Sequence, residues 1–284
     1  NIADSTLGKK ISKICFEGPD EELKKTINAQ SAIVTTSIAA LSAFKSELDI
    51  TPYCAMGHSL GEYCAMYCAG VMDLETTLKA IQKRSELMDE ATKKQTGTMA
   101  AVLGSTLEVI NEALNEVSSL GSAQIANYND PTQIVITGEV EAVQKASEII
   151  KECGAKRVVP LAVSGAFHSR LMQSATEGFV DFVKTLELND AKFPVITNVD
   201  AEETLCAEDF RVKMPCQIYS SVYWTQTIQK MVEEGVDTFI EIGPGKVLAG
   251  LNKKIAPEAV VYNVFDKASL DSTVQAINSQ LIGA

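Results

Sequence analysis

A serine lies between two glycines in the segment Gly57-His58-Ser59-Leu60-Gly61. The apolar residues 53–56 before it predict a short strand, and a helix is expected to begin near Glu62. Glycines two positions either side of a serine permit a tight strand-to-helix turn that lifts the hydroxyl out of the chain. The pattern predicts a nucleophile elbow, with Ser59 as nucleophile and the Leu60 N–H directed at an incoming carbonyl.

A serine hydroxyl needs a base to take its proton, and histidine is the usual one. The chain has two histidines. His58 adjoins Ser59, where neighbouring side chains diverge, so His168 is the predicted base. The apolar run 157–163 is expected to be a strand that leads into a loop carrying His168 over a pocket. A histidine that merely packs in the core or on the surface is the alternative.

Arg84 is a third candidate, on a predicted helix from Leu74 to Ala91. It flanks the apolar stripe formed by Leu78, Ile81 and Met88, among small side chains that leave room for a ligand. A guanidinium is shaped for a bidentate grip on a carboxylate. An arginine whose stem covers the edge of the core while its head stays solvated fits the pattern equally well.

Composition narrows the class of protein. The chain has 284 residues, 46% hydrophobic and 22% charged, with a net charge of -12, which argues against nonspecific nucleic-acid binding. No apolar run approaches the ~20 residues that span a bilayer, so no membrane association is expected. Seven cysteines without C-x-x-C spacing predict reduced core thiols rather than a disulfide framework or a metal site. These features indicate a cytoplasmic enzyme.

The order of predicted elements indicates two units. Residues 97–163 follow the order β-α-β-β-α-β, which predicts a small ferredoxin-like α+β subdomain. Residues 1–96 and 164–284 alternate short strands with helices, which predicts a large α/β-hydrolase-like domain built on a parallel sheet. The predicted fold class is therefore α/β, with the small subdomain inserted and the site in the cleft between the two units.

Several motifs, taken in order along the chain, closely resemble the malonyl-CoA:acyl carrier protein transacylase family. They are Gly57-His58-Ser59-Leu60-Gly61-Glu62-Tyr63, the helix with Lys83-Arg84 and Met88, Asn127-Tyr128-Asn129, Ser164 to His168 with Leu171-Met172, and Glu241 to Leu248. The resemblance covers nearly the whole chain. It implies a ping-pong serine transferase that loads malonyl units from malonyl-CoA onto acyl carrier protein in fatty-acid biosynthesis, with coenzyme A thioester as substrate and no tightly bound cofactor.

The resemblance also implies roles for individual residues. Ser59 would be the nucleophile, His168 the base, Arg84 the carboxylate ligand and Leu60 an oxyanion donor. Gln217 matches the residue whose main-chain carbonyl orients the catalytic histidine. Asn127 and Asn129 match a segment that lines the acyl pocket, and His58 is a further predicted substrate-binding residue. Leu60 and Phe167 resemble residues associated with selection of malonyl over methylmalonyl.

The acyl carrier protein is an acidic partner, so a local basic surface is expected on this negative chain. Candidate residues for that surface are Lys156, Arg157, Arg170, Lys246, Lys253 and Lys254.

The chain departs from the family at its start, because the family opens with a strand and a Gly-Gln-Gly-Ser-Gln loop that adds an oxyanion donor. No such motif occurs in the sequence, so the segment is expected to be missing from the chain. Three alternatives stay open: a serine esterase or thioesterase, which would need an acidic third member and no Arg84; a catalytically silent scaffold; and the acyltransferase domain of a polyketide synthase.

Overall fold

The structure is a computed structural model that describes residues 2–283, with side chains through residue 280. Its fold is mixed α/β. The α-helices are Ile2–Leu7 (α1), Ile11–Glu17 (α2), Asp20–Lys24 (α3), Thr26–Glu47 (α4), Gly61–Cys68 (α5), Leu74–Lys94 (α6), Leu107–Glu116 (α7), Val140–Glu152 (α8), Gln173–Lys184 (α9), Ala207–Gln217 (α10), Trp224–Glu233 (α11), Val247–Ile255 (α12) and Lys267–Gly283 (α13). The strands are Ala55–Met56 (β1), Thr98–Leu103 (β2), Ala123–Asp130 (β3), Gln133–Gly138 (β4), Arg157–Pro160 (β5), Val195–Ile196 (β6), Glu203–Thr204 (β7), Thr238–Ile242 (β8) and Val260–Val264 (β9).

The strands outside residues 98–160 form two short sheets. In one, β1 pairs with β6 in parallel and β6 pairs with β7 antiparallel. In the other, β8 pairs with β9 in parallel over five residues. The expected parallel pairing is present, but it is divided between two sheets and includes an antiparallel edge strand. The main core lies between helices α4, α5, α6, α9 and α10 and strands β1 and β6.

Residues 98–160 form a four-stranded antiparallel sheet in the order β3-β4-β2-β5. The chain order of this section is β-α-β-β-α-β, as the sequence predicts. Helices α7 and α8 cover one face of the sheet because both are amphipathic, and their buried residues, among them Ile110, Val143 and Ile150, form a core with Val102 and Ile136 from the strands.

Strand β3 runs to Asp130 and turns into β4 through Pro131 and Thr132. One boundary near the site differs from the one predicted. Strand β5 ends at Pro160, and residues 161–169 are not a strand. The apolar residues of that segment do not pair with strand β2, apart from the Leu161 N–H, which donates to Met99 O at 2.9 Å. Val163 is exposed.

Helix α4 is long and apolar enough, by length and composition alone, to cross a membrane, which the sequence analysis did not expect. It packs against α5 and α6, and its buried side chains Val34 and Ile38 belong to the main core. The seven cysteines are free thiols, as predicted. Cys153 and Cys206 are exposed, so the prediction of core thiols is wrong for these two, whereas the other five are partly buried.

Candidate active site

The elbow is formed where β1 ends and α5 begins. Ser59 adopts the left-handed backbone conformation, with φ 51°, which L residues rarely take. A Cβ at Gly57 would lie 2.1 Å from the backbone C and O of Gly61, so only glycine fits there. A Cβ at Gly61 would meet no atom of the described residues within 4 Å. The turn therefore needs its first glycine for steric reasons, whereas the sequence pattern assigned the same need to both.

The structure places the Ser59 hydroxyl beside the His168 ring. Ser59 Oγ lies 2.7 Å from His168 Nε2. His168 Nδ1 faces the main-chain oxygens of Gln217, at 3.0 Å, and Ser220, at 3.1 Å. Because carbonyl oxygens only accept hydrogen bonds, Nδ1 carries the proton and Nε2 is left to accept the Ser59 proton. His168 also has a left-handed backbone, with φ 56°, and such outliers cluster at functional sites.

The electrostatic surroundings keep His168 neutral. The residue is 4% exposed, and burial lowers its pKa from 6.5 to about 3, with the electrostatic influence of Arg84 and of His58 acting in the same direction. The Gln217 and Ser220 carbonyls oppose this shift in pKa. Among the described residues the ring's hydrogen-bond partners are one hydroxyl and two carbonyls, and none is a carboxylate. A neutral imidazole is the form that can act as a base.

Arg84 lies on α6 with its guanidinium in the interior, 1% exposed. Nη2 donates to Ser59 Oγ at 3.0 Å and to the side-chain oxygen of Gln217 at 3.1 Å. Nη1 donates to the side-chain oxygen of Gln30 at 2.6 Å. The alternative of a solvated arginine at the edge of the core is therefore wrong.

The hydrogen-bond partners of the Arg84 guanidinium are all neutral groups among the described residues. Burial lowers the pKa of its guanidinium, while Tyr63 and Glu62 raise it. No carboxylate in residues 2–283 lies within ion-pair distance of it, and its buried Nε has no hydrogen-bond partner there. A buried cation without a paired anion is costly. The arrangement favours a ligand that brings a negative charge to this point.

Leu60 immediately precedes α5 and has helical backbone angles. Its N–H has no acceptor among the described residues, since the first hydrogen bonds of the turn start at Gly61 and Glu62. Free N–H groups at the start of a helix carry partial positive charge. The Leu60 N–H is thus available to an oxyanion formed next to Ser59.

The remaining predicted residues lie around this centre without touching Ser59 Oγ. The His58 ring is within 2.8 Å of Asn129 Oδ1 and 5.7 Å from the Trp224 ring, and burial lowers its pKa. Asn127 is buried on β3, where it forms an isolated parallel bridge with Val222. Phe167 is partly buried between the main core and the back of the small sheet. The structure therefore brings His58 and Asn129 together and places Asn127 and Phe167 nearby.

Five residues of the site were missed by the sequence analysis or given no role there. They are Gln30, which holds Arg84; Asn198, which accepts from the Ser59 N–H; Glu62, which accepts from the Asn198 N–H; Ser220, which faces His168; and Gln124, which donates to His168 O. Glu62 follows the elbow directly in sequence, which is a signal that could have been read. The other four reach the site from distant segments and carry no local pattern.

A cavity of about 650 Å³ borders the elbow on the side of Gly57, His58 and Leu60 and extends between β1 and β8. Of the described residues, Ser59, Arg84 and His168 do not line it. The reacting groups thus face a different side of the elbow, and we assign the chemistry to the hydrogen-bonded cluster rather than to this cavity. Within residues 2–283 no cluster of three or more His, Cys, Asp or Glu side chains is arranged to hold a metal ion.

Comparisons with known proteins agree with this geometry. The model of the acyl transferase domain family matches residues 1–264. The malonyl CoA-acyl carrier protein transacylase of Bacillus subtilis is 44% identical over 279 residues, which covers 98% of this chain and 88% of that protein. The enzyme of the same name from Haemophilus influenzae is 37% identical and covers 95% and 87%.

Solved structures extend the similarity to three dimensions. The malonyl CoA-acyl carrier protein transacylase of Clostridium perfringens superposes with a TM-score of 0.93 at 39% identity, covering 99% of this chain and 88% of that one. A malonyl-transacylase solved in complex with a type II polyketide acyl-carrier protein gives a TM-score of 0.94 at 38% identity, covering 96% and 89%. The chain belongs to the acyl transferase domain family, within the group of malonyl CoA-acyl carrier protein transacylases.

Proposed function

We propose that this protein transfers the malonyl group from malonyl-CoA to the phosphopantetheine thiol of acyl carrier protein, through an ester on Ser59, in fatty-acid biosynthesis. The single observation that carries the proposal is that Ser59 Oγ is shared between a base and a cation, at 2.7 Å from His168 Nε2 and 3.0 Å from Arg84 Nη2. One neighbour removes the hydroxyl proton, and the other attracts an acidic acyl group to the same atom.

In the acylation half-reaction, His168 Nε2 takes the Ser59 proton while Oγ attacks the thioester carbonyl. The tetrahedral oxyanion accepts a hydrogen bond from the Leu60 N–H. When the intermediate collapses, the C–S bond breaks, and the imidazolium returns its proton to the departing coenzyme A sulfur. The products are free coenzyme A and a malonyl ester on Ser59.

In the second half-reaction the phosphopantetheine thiol takes the place of coenzyme A. His168 removes the thiol proton, the sulfur attacks the ester, and Ser59 Oγ leaves with the proton from the imidazolium. The cycle is ping-pong and regenerates the enzyme. Gln217 and Ser220 carbonyls keep the His168 ring in one tautomer through both steps.

Arg84 is the proposed ligand of the malonyl carboxylate. Its present hydrogen-bond partners are amide and hydroxyl oxygens, none of them a carboxylate, and a guanidinium binds a carboxylate through paired hydrogen bonds. An esterase for neutral substrates would gain nothing from such a cation beside its nucleophile. It would also be expected to orient its histidine with a carboxylate, where this chain uses carbonyls.

Acyl carrier protein is the proposed transient partner, and the cytoplasm the proposed location. The candidate basic residues Lys156, Arg157, Arg170, Lys246, Lys253 and Lys254 are all exposed. Lys254 pairs with the buried Asp130 at 3.0 Å, and Lys246 lies over the Phe265 ring. The other four are not engaged in ion pairs within the described part of the chain, which favours them as contacts for an acidic carrier.

We further propose that residues 97–163 form a ferredoxin-like subdomain inserted into an α/β-hydrolase-like domain made of residues 1–96 and 164–284. The antiparallel order β3-β4-β2-β5 with two helices on one face supports the first assignment. The strand-elbow-helix arrangement at β1 and α5 and the two parallel pairs β1–β6 and β8–β9 support the second.

Intact-mass measurement after incubation with malonyl-CoA tests the function. We expect a single malonyl adduct on the protein, no adduct on Ser59→Ala, and transfer of the adduct to holo acyl carrier protein. Carriers from fatty-acid and polyketide synthesis run in parallel distinguish the two pathways. Release of free malonate without transfer, or faster cleavage of a neutral acyl ester, would support a hydrolase instead; absence of any adduct would support a silent scaffold.

A further inference from the structure

Glu62 is a buried carboxyl that lies directly behind the elbow. It is in the first turn of α5, three residues after Ser59, and is 1% exposed. Its Oε2 accepts the Asn198 N–H at 2.5 Å. The Asn198 side chain returns to the elbow, where Oδ1 accepts the Ser59 N–H at 2.6 Å and Nδ2 donates to Gly57 O at 2.8 Å. A chain of hydrogen bonds thus runs from Glu62 to the backbone of the nucleophile.

Asn198 is itself held rigidly. It lies in the turn between β6 and β7, which is closed by a hydrogen bond from the Ala201 N–H to Thr197 O at 3.0 Å. Its own carbonyl accepts the Tyr223 N–H at 3.0 Å. Both backbone groups and both side-chain polar atoms of Asn198 are therefore engaged, and the residue is 1% exposed. A fully engaged buried amide has one stable orientation.

The surroundings of Glu62 are unusual for a carboxyl without an ion pair. Burial raises its pKa to about 7, while the Asn198 N–H, the Gln217 amide and the charge of Arg84 on α6 lower it, and Asp200 in the same turn raises it. Tyr63, next to it on α5, is buried with its hydroxyl unpartnered among the described residues. Glu62 thus changes charge in the neutral range, where His168, with its lowered pKa, does not.

We propose that Glu62 and Asn198 are positioning residues, which hold Ser59 in its left-handed backbone conformation, and that ionised Glu62 is the form that holds it. An ionised carboxylate can only accept, which suits the Asn198 N–H. A protonated carboxyl presents a donor of its own and a weaker acceptor. Loosening of Asn198 releases the Ser59 N–H, and the strained turn then relaxes. The inference rests on the proposed function because it takes Ser59 as the nucleophile.

The test compares the wild-type protein with Glu62→Gln and Asn198→Ala, and uses Glu75→Gln as the matched control, since Glu75 is exposed on α6 and pairs with Lys79. The rate of Ser59 modification by phenylmethylsulfonyl fluoride, located by peptide mass, reports the nucleophile independently of malonyl binding. The same variants are assayed for kcat and KM with malonyl-CoA. Both measurements run from about pH 5.5 to about pH 9, a range in which an unperturbed glutamate stays ionised.

We expect the wild-type labelling rate and kcat to rise with pH around a midpoint near 7. In Glu62→Gln both should be about tenfold lower above that midpoint and independent of pH, with KM unchanged, because one charge-assisted hydrogen bond becomes a neutral one. Asn198→Ala should behave in the same way, and Glu75→Gln should match the wild type.

Two results would overturn the proposal. One is a Glu62→Gln protein that keeps the wild-type rates and pH midpoint and loses only thermal stability, which is the signature of a structural role. The other is a wild-type profile without a midpoint near 7, which decides the matter even where a variant does not fold. If the wild-type protein is not labelled at Ser59, the proposed function itself fails, and this outcome is distinct from the first two.

Discussion

Replacement of Arg84 should change which acyl group the protein accepts. The guanidinium is buried and shared among Gln30, Gln217 and Ser59. The malonyl carboxylate would replace one or two of these neutral acceptors with a charged one, and each hydrogen bond to it is worth about 1.5–3 kcal/mol. Loss of one such bond corresponds to about 10- to 100-fold in kcat/KM, and loss of a pair to about 10²- to 10⁴-fold. An acetyl group has no carboxylate and leaves the buried charge of Arg84 unpaired. Acetyl loading therefore loses none of this free energy when Arg84 is replaced.

Three substitutions separate charge from shape. Arg84→Met keeps most of the volume without charge, Arg84→Lys keeps the charge without the planar fork, and Arg84→Ala removes both. We expect malonyl loading to be highest in Arg84→Lys, lower in Arg84→Met and lowest in Arg84→Ala. Acetyl loading by Arg84→Met should equal or exceed that of the wild type. Lys79→Ala, on the exposed face of the same helix, is the control.

The assay is single-turnover loading of Ser59 from radiolabelled malonyl-CoA and acetyl-CoA, measured for the same enzyme preparations. The ratio of the two loading rates removes differences in the amount of folded protein. An equal fall of malonyl and acetyl loading in Arg84→Met would refute a carboxylate role and would mean that Arg84 serves only to hold the nucleophile in place.

Three further predictions concern the elbow and the base. Gly57→Ala should abolish acylation because its Cβ meets backbone at 2.1 Å, whereas Gly61→Ala should stay within a few-fold of the wild type; the adduct assay compares them, and equal loss would contradict the steric argument. The pKa of His168 is about 3 in the folded protein and 6.5 when exposed, so its contribution to stability is full above pH 6.5 and is lost as pH falls. Relative to His168→Gln, the wild type should lose about 2 kcal/mol of unfolding free energy between pH 6.5 and about pH 5 in denaturant titrations, and parallel curves would refute this. Gln124→Ala removes the amide that donates to His168 O at 3.2 Å and should lower kcat about fivefold without changing KM for malonyl-CoA; a change in KM alone would point to the acyl pocket instead.

The residues that the sequence revealed are those with a local signature. Gly57 marks the turn because no other residue fits, and the scarcity of histidine leaves His168 as the one base that can reach Ser59 from elsewhere in the chain. Arg84 stands out as a charge beside an apolar stripe. Gln217 was found through the family resemblance alone, because a main-chain carbonyl leaves no trace in residue type.

The remainder could not be predicted because it depends on long-range contacts. Asn198 and Gln30 reach the site across 139 and 54 positions of sequence. Strand β1 has two residues, too few for any periodicity, and helix α10 contains Pro215, which by its usual preference argues against a helix. The run 157–163 has strand-like composition, but the neighbouring strand β2 offers partners only as far as Pro160 and one further hydrogen bond from Leu161.

The two carbonyls behind His168 also bear on the lifetime of the acylated enzyme. A peptide oxygen carries a fraction of an electron's charge, so it stabilises an imidazolium less than a full carboxylate would. The rate of attack falls most for the nucleophile that depends most on deprotonation by the base. Water is a far weaker nucleophile than a thiol. With this modest base, the acyl ester on Ser59 is therefore hydrolysed slowly by water and persists until a thiol attacks it.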